Sequence, residues 1–192
     1  MEEHKIEPLF SIPLYSSKLK RELTKQENDF IFNHTSKVVQ NRGGNYMSYD
    51  NKILNNENLK GLKEFFLTHI NNYFDKIIQT NNKITPYITQ SWLNYNNSGV
   101  FYISSKIDKD SIEFFIDDNA ITFSEIKKFN VFNSTHWTIP VENGLLLLFP
   151  SNLKHCVKNH VYDYIRISLS FNVFVKGIIG SNLNQLNLDE GQ

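Results

Sequence analysis

The strict alternation of residues 164–174, YIRISLSFNVF, constrains the fold of this chain most strongly. A period of two predicts a β-strand with one face on a core and one face of different character. The apolar face carries Ile165, Ile167, Leu169, Phe171 and Val173, and the polar face carries Arg166, Ser168, Ser170 and Asn172. The polar face is either a solvent face or the lining of a cavity. We favour the cavity because the preceding segment 145–149, LLLLF, is apolar on both faces and is therefore expected to be buried.

His155 lies between these two predicted strands, 166 − 155 = 11 positions before Arg166. An antiparallel return after His155 would let both side chains face one space. A neutral imidazole is a metal ligand, and a guanidinium binds a carboxylate through two parallel hydrogen bonds. Together they could hold a small dicarboxylate by its two ends. The alternative is that His155 caps a strand and Arg166 faces water or a structural carboxylate such as Glu113. In either case an acidic group is expected to meet Arg166, because an unpaired buried charge is costly.

The N-terminal part of the chain carries two helix signals. Thr24 and Glu27 form the spacing of a capping box and predict a helix over 24–39, ended by Asn41 and the Gly43-Gly44 pair. Residues 58–80 repeat apolar side chains at steps of three and four, which predicts a longer helix. Its apolar stripe is broad, so a sheet is the expected packing partner.

Short strand-like segments separated by turn residues fill the rest of the chain. They are FSIPLY near the start and, from Tyr87 onward, SWLNYN, GVFYIS, SIEFFI, AITFSE, FNVFN and HWTIPV. Residues 45–50 are predicted as a loop, and 117–119 and 143–144 as turns. This order predicts a mainly β (α+β) protein with a double-stranded β-helix, a jelly-roll or cupin-like core, and N-terminal helices packed on one outer sheet. No linker or repeat interrupts it, so one domain over 1–192 is expected.

Charge and cysteine content narrow the possible partners and compartment. The formal net charge is +0, so general attraction to nucleic acid or to an anionic membrane is not expected. The single cysteine, Cys156, allows no intramolecular disulfide and is expected to pack in the core on the face opposite His155. Neither a secretion signal nor a membrane span is visible, so a soluble, cytoplasmic protein is expected. His136 is expected at a strand start beside Trp137, or as a ligand in a rearranged site. His69 is expected at the surface or at the boundary of the core, and not as a metal ligand.

Several segments resemble a known enzyme family. The run NGLLLLFPSNLKH followed by RISLSFN is similar to the distal half of the iron(II)/2-oxoglutarate-dependent dioxygenases, in particular the short 2OG-Fe(II) oxygenases. The segments ITPYITQSWLNYN, SGVFYIS, PVENG and LFSIPLYSSKL are also similar, so the resemblance covers most of the chain. It implies Fe(II) as cofactor and 2-oxoglutarate as cosubstrate. The implied reaction hydroxylates an unknown substrate and converts the small-molecule cosubstrate 2-oxoglutarate to succinate and CO2.

The same resemblance assigns individual residues. It puts the distal metal ligand at His155 and the Arg-x-Ser pair that binds 2-oxoglutarate at Arg166 and Ser168. Tyr102 matches a position whose hydroxyl meets the same carboxylate of the cosubstrate. The strand that leads to the metal loop holds Asn94 and Trp92, which are expected to line the pocket.

One departure from the family concerns the first two metal ligands, a His-x-Asp or His-x-His motif. No His, Asp or Glu lies between Trp92 and Tyr102, where the motif belongs. Two alternatives follow. Either the sequence omits a loop between Asn97 and Ser98, and the protein is an enzyme, or the loop is lost and an Asn-Asn-Ser-Gly turn closes the gap. The second alternative predicts a non-catalytic jelly-roll that serves as a binding or structural module. The oligomeric state stays open.

Overall fold

The structure, a computed structural model, describes residues 11–33, 38–40, 46–81, 83–95, 101–116, 127–157 and 164–189. Its strands are β1 Tyr15–Lys18, β2 Val38–Gln40, β3 Tyr46–Ser48, β4 Ile84–Tyr95, β5 Phe101–Ser104, β6 Ser111–Phe115, β7 His136–Pro140, β8 Leu145–Leu148, β9 Lys154–Cys156, β10 Ile167–Ile179 and β11 Leu186–Asn187. Its α-helices are α1 Lys25–Asn33 and α2 Lys60–Asn72, the latter continued by a π-helical turn Tyr73–Ile78. The short 3₁₀ turns are Ile53–Asn55, Glu57–Leu59 and Asn182–Asn184. The predicted mainly β character is confirmed.

The larger sheet has eight strands in the order β1-β8-β5-β10-β4-β3-β2, with β11 added to β10. Its centre is the long antiparallel pair of β4 and β10, which begins with Ile167 opposite Tyr95. The strands β8 and β10 belong to this sheet but are not neighbours, because β5 pairs with both of them. The direct antiparallel return from 145–149 to 164–174 that the sequence suggested is therefore wrong.

The smaller sheet has three antiparallel strands in the order β7-β6-β9. Phe114 of β6 lies opposite Trp137 of β7 and His155 of β9. Residues directly opposite each other project to the same face, so His155 shares the face of the buried Phe114.

One face of the larger sheet packs against the helices. Leu169 and Phe171 of β10 and Leu146 of β8 join a buried cluster with Leu62 and Phe66 of α2. The Phe66 ring stacks on Phe171 with 5.0 Å between their centroids. The apolar face of the alternating segment therefore contacts the helices, as its pattern required.

The other face of the larger sheet meets the smaller sheet. Tyr102 and Leu147 from the larger sheet form a second buried cluster with Ile112 and Phe114 from the smaller one. Leu146 and Leu147 thus enter different clusters. The prediction that segment 145–149 is apolar on both faces and buried is confirmed, and the architecture is a β-sandwich.

The first helix begins as predicted and ends early. Glu27 N–H donates to Thr24 Oγ1 at 3.2 Å, and Thr24 N–H donates back to Glu27 Oε2 at 2.8 Å, which confirms the capping box. The helix ends at Asn33, whereas the prediction extended to residue 39. Val38 and Val39 instead pair with Ser48 and Met47 in a strand, the conformation that suits two adjacent β-branched side chains.

Other local predictions also differ from the structure. The first strand begins at Tyr15 rather than before Pro13, since proline lacks the N–H that a strand pair uses. The segment FNVFN lies in a turn whose backbone is held by the Asn130 and Asn133 side chains. The predicted loop 45–50 contains β3, and the segment between the two predicted strands, where His155 lies, contains β9. The predicted strand AITFSE, residues 120–125, and the predicted turn 117–119 lie outside the described residues. No helix within the described ranges is long and apolar enough to cross a membrane.

Candidate ligand-binding cleft

A cleft of about 730 Å³ opens between the two sheets and extends toward the C-terminal end of α2. Its polar lining comes from the inner face of β4 and β10 and from β9. These residues include Trp92, Asn94, Ser170, Asn172 and His155. Apolar walls come from β8 and from the helical segment that contains Ile70 and Tyr73, so the cleft combines a polar floor with an apolar surround.

The polar floor is fixed by its own hydrogen bonds. In the β4–β10 register, Asn94 lies opposite Ser168 and Trp92 lies opposite Ser170. Asn94 Nδ2 donates to Ser170 Oγ at 2.8 Å, and Trp92 Nε1 donates to Asn94 Oδ1 at 3.1 Å. Asn94 is buried, and these bonds define which way its amide points. The floor therefore presents oriented polar groups.

His155 stands on the opposite wall, where it is exposed to solvent. Its ring packs against Phe149 with 4.9 Å between centroids. Nδ1 lies 2.9 Å from the Leu153 carbonyl oxygen, which only accepts, so Nδ1 carries the proton and Nε2 keeps its lone pair. Cys156 projects to the opposite face, as predicted from the alternation, but it is exposed, so its predicted core packing is wrong.

Arg166 lies deeper between the sheets and is paired within the protein. Its Nη1 donates to Asp110 Oδ1 at 3.2 Å, and the two side chains are 5% and 0% exposed. Asp110 Oδ2 accepts from Tyr164 OH and from the backbone N–H of Lys106, both at 2.8 Å. The acidic partner that the sequence predicted for Arg166 is thus present, and it is Asp110. Glu113, the example named from the sequence, accepts a hydrogen bond from Thr138 at 3.5 Å.

Tyr102 and Ser168 lie beside this ion pair in adjacent strands, opposite each other in the β5–β10 register. Both are fully buried. The Tyr102 hydroxyl has no hydrogen-bond partner among the described residues. Burial raises the pKa of Tyr102, the charge of Asp110 acts in the same direction, and the charge of Arg166 opposes them. The phenol is therefore neutral over the physiological pH range and can donate a hydrogen bond.

The sequence-predicted site residues fall into two groups. Asn94, Trp92 and His155 line the cleft, whereas Arg166, Ser168 and Tyr102 do not belong to its lining. Ser170, which does line it, follows Arg166 by four positions, or about 13 Å along an extended strand. Both groups lie between the sheets, and a site shared by Arg166 and His155 stays a prediction.

The residues present do not fit an iron site of the expected kind. Within the described ranges, no three His, Cys, Asp or Glu side chains cluster as metal ligands, and His155 stands alone. The Asn-Asn-Ser-Gly segment where the family carries its first two ligands lies outside the described residues. The fit to 2-oxoglutarate is also poor, because Arg166 already holds a carboxylate and the cleft lining includes no Lys or Arg.

Comparison with known proteins supports the family resemblance over part of the chain. Residues 90–172 match the model of a family described as "Putative 2OG-Fe(II) oxygenase". This segment runs from within β4 to within β10 and holds His155, Arg166, Ser168, Tyr102, Asn94 and Trp92. The resemblance read from the sequence is therefore confirmed for the sandwich segment, which is less than half of the chain. No curated protein matches the chain.

Three functional candidates were missed from the sequence. Ser170 was seen only as part of the polar face, although it anchors the Asn94 amide. Asp110 lies in the segment SKIDKDS, where nothing distinguishes it from Asp108, and only the fold brings it to Arg166. Tyr164 was the first residue of the alternating segment, and its hydroxyl bonds Asp110. The one signal in the sequence was that Arg166, if buried, requires an acidic partner.

Proposed function

We propose that this protein binds a small neutral molecule in the cleft between its two sheets, on a scaffold of the 2OG-Fe(II) oxygenase type. The observation that carries the proposal is the composition of the cleft. Its floor is a hydrogen-bonded Trp92–Asn94–Ser170 network, and its described lining includes no Asp, Glu, Lys or Arg. An ionised ligand would lose its hydration there without gaining a countercharge, which disfavours it.

One group on the cleft walls can accept a hydrogen bond from a ligand. His155 Nε2 keeps a lone pair and is an acceptor. The aromatic rings of Trp92, Phe149 and Phe174 add apolar contact surface. These features favour a ligand with a planar ring and an amide-like polar group, as is usual for small-molecule pockets.

The second candidate is the family reaction, hydroxylation of an unknown substrate coupled to conversion of 2-oxoglutarate to succinate and CO2. The match over residues 90–172 favours it, and so does His155, whose Nδ1–H is held by a backbone carbonyl in the way metal-ligating histidines are oriented. This candidate would require further ligands for Fe(II) and release of Arg166 from Asp110 to receive 2-oxoglutarate. The described residues do not supply either, so the binding function is our conclusion.

The finer architecture belongs to the same proposal. We propose that the sandwich is a double-stranded β-helix in a single domain over 1–192, with the N-terminal helices on its outer sheet. The contacts of Phe66 with Phe101 and Phe171, each with 5.0 Å between centroids, support that helix packing.

Titration with benzamide, a neutral ring with one amide, tests the binding function. We expect binding detected by tryptophan fluorescence, lost in Asn94→Leu and kept in Asn58→Leu, which makes the same change on an exposed turn. Equal binding by both variants would contradict the assignment of the cleft.

A turnover assay separates the two candidates. The protein is incubated with Fe(II), ascorbate and 2-oxoglutarate, and succinate is measured. The binding function predicts no succinate above the background without protein. Succinate release that disappears in His155→Ala would overturn our conclusion in favour of the oxygenase.

A further inference from the structure

We propose that the turn 127–134 binds the surface of a lipid bilayer that carries anionic headgroups. The turn leads into β7 at one end of the smaller sheet, where the Ile116 N–H donates to the Thr135 carbonyl at 3.0 Å. It lies outside the lining of the cleft, so membrane binding here is independent of the proposed cleft function.

The tip of the turn exposes large apolar side chains. Phe129, Val131 and Phe132 are 62%, 67% and 59% exposed to solvent. Ile116, at the base of the turn, is also exposed. Large apolar side chains that cluster on a surface mark a site of interaction with a protein or a membrane. The charge and the backbone of the turn indicate which of these partners fits.

Two lysines precede the apolar tip. Lys127 and Lys128 are exposed, and neither forms an ion pair with a described residue. The sequence 127–141 contains no Asp or Glu. Because the formal net charge of the chain is +0, attraction to anionic headgroups depends on such a local excess of cations. Lysines beside aromatic and aliphatic side chains combine the two attractions that hold a peripheral segment at an anionic membrane.

The turn forms hydrogen bonds to its own backbone. Asn130 Oδ1 accepts from the Phe132 N–H, and Asn133 Oδ1 accepts from the Asn130 N–H, both at 2.8 Å. Asn133 Nδ2 donates to the Lys128 carbonyl, and the Ser134 N–H donates to the Asn130 carbonyl, both at 3.1 Å. A protein partner could supply such hydrogen bonds, whereas lipid tails cannot. A turn that already makes them is therefore suited to a bilayer.

Cosedimentation with vesicles tests the proposal. Vesicles of phosphatidylcholine and phosphatidylserine in equal parts should bind the protein roughly 10- to 30-fold more tightly than pure phosphatidylcholine, the effect of two lysines at an anionic surface. Phe132→Ser should weaken binding to the mixed vesicles about 10-fold, because the buried area of one aromatic side chain is lost. The matched control Phe32→Ser makes the same change at an exposed position of α1 and should bind as the wild type does.

A spin label distinguishes insertion into lipid from contact with another protein. The exposed Cys156 is first replaced by serine, and the label is attached at Val131→Cys or, as the control, at the fully exposed Leu183→Cys. With the mixed vesicles, electron paramagnetic resonance should show that the label at position 131 loses access to a water-soluble relaxation agent and gains access to oxygen. The label at position 183 should show neither change.

Four results would overturn the inference. Absence of wild-type binding to the mixed vesicles is one, and it needs no variant. Equal cosedimentation of Phe132→Ser and Phe32→Ser, both shown to be folded by circular dichroism, is another. The third is a label at position 131 that stays as accessible to water as the label at position 183. The fourth is a dimer in the absence of vesicles that Phe132→Ser dissociates, which would assign the apolar tip to a second copy of the chain. None of these measurements uses benzamide, so the cleft function is tested separately.

Discussion

Replacing Arg166 by methionine should destabilise the fold by about 3–5 kcal/mol, the cost of leaving one member of a buried ion pair without its partner. The structural basis is the 5% exposure of Arg166, the 0% exposure of the Asp110 side chain and the 3.2 Å separation of Nη1 and Oδ1. Methionine keeps the length and apolar stem of arginine, so the lost packing is small. Among the described residues, the Asp110 carboxylate would then retain only the hydroxyl of Tyr164 and the N–H of Lys106.

A double-mutant cycle with Asp110→Asn isolates the pair. Asparagine removes the orphaned charge, so the double variant should be more stable than the sum of the single changes predicts, by about 2–3 kcal/mol. Urea unfolding followed by far-ultraviolet circular dichroism gives the free energies of unfolding. The control is Lys18→Met, whose partner Glu142 is also half-exposed and whose loss should cost about 0–1 kcal/mol. A cost for Arg166→Met no larger than that of Lys18→Met, or a cycle without coupling, would refute the reasoning.

Three further predictions concern the scaffold. Phe66→Ala should cost about 3–5 kcal/mol in urea unfolding, because the fully buried ring contacts Phe101 and Phe171; a cost below about 1 kcal/mol would contradict the packing of α2 on the sheet. Gly177→Ala should lower the melting temperature strongly, because its φ is +103° and a Cβ would overlap the Lys83 carbonyl; an unchanged melting temperature would argue against this backbone conformation. Burial lowers the pKa of His69 below its ordinary 6.5, so its contribution to stability is full above pH 6.5 and declines as the pH falls below it. His69→Gln should therefore flatten the stability profile between pH 7 and pH 5, and an unchanged profile would contradict the assignment.

Predictions from the local sequence were correct where a residue pattern is compatible with a single local structure. The alternation at 164–174 placed Leu169 and Phe171 toward the helices, and LLLLF entered both apolar clusters because both of its faces are apolar. The Thr24–Glu27 capping box depended only on neighbours three positions apart. The helix end at Asn33 was missed because Val38 and Val39 pair with Ser48 and Met47 of the next strand, ten and eight residues further along the chain. The helical pattern of 24–39 taken alone does not reveal such a strand partner.

Some residues predicted for the candidate site line the cleft, and their functional roles stay predictions. Asn94 and His155 line one cleft, as the resemblance implied, because each follows the alternation of its own strand. The position of Arg166 depends on Asp110, which comes 56 residues earlier and reaches it only through the packing of the two sheets. The sequence required an acidic partner for Arg166 but offered no signal that chose Asp110 over Glu113. The sequence pattern likewise gave no sign that β5 lies between β8 and β10, because the order of strands in a sheet is set by the topology of the chain.

The most direct test of the cleft function is the nuclear magnetic resonance spectrum of the two tryptophan indole N–H groups during titration with benzamide. Trp92 donates its indole N–H to Asn94 in the cleft floor, whereas Trp137 lies on β7 outside the cleft lining. The signals are assigned with Trp92→Phe and Trp137→Phe. We predict a saturable shift of the Trp92 signal and none of the Trp137 signal. A titration that moves neither signal, or moves both to the same extent, would contradict ligand binding in this cleft.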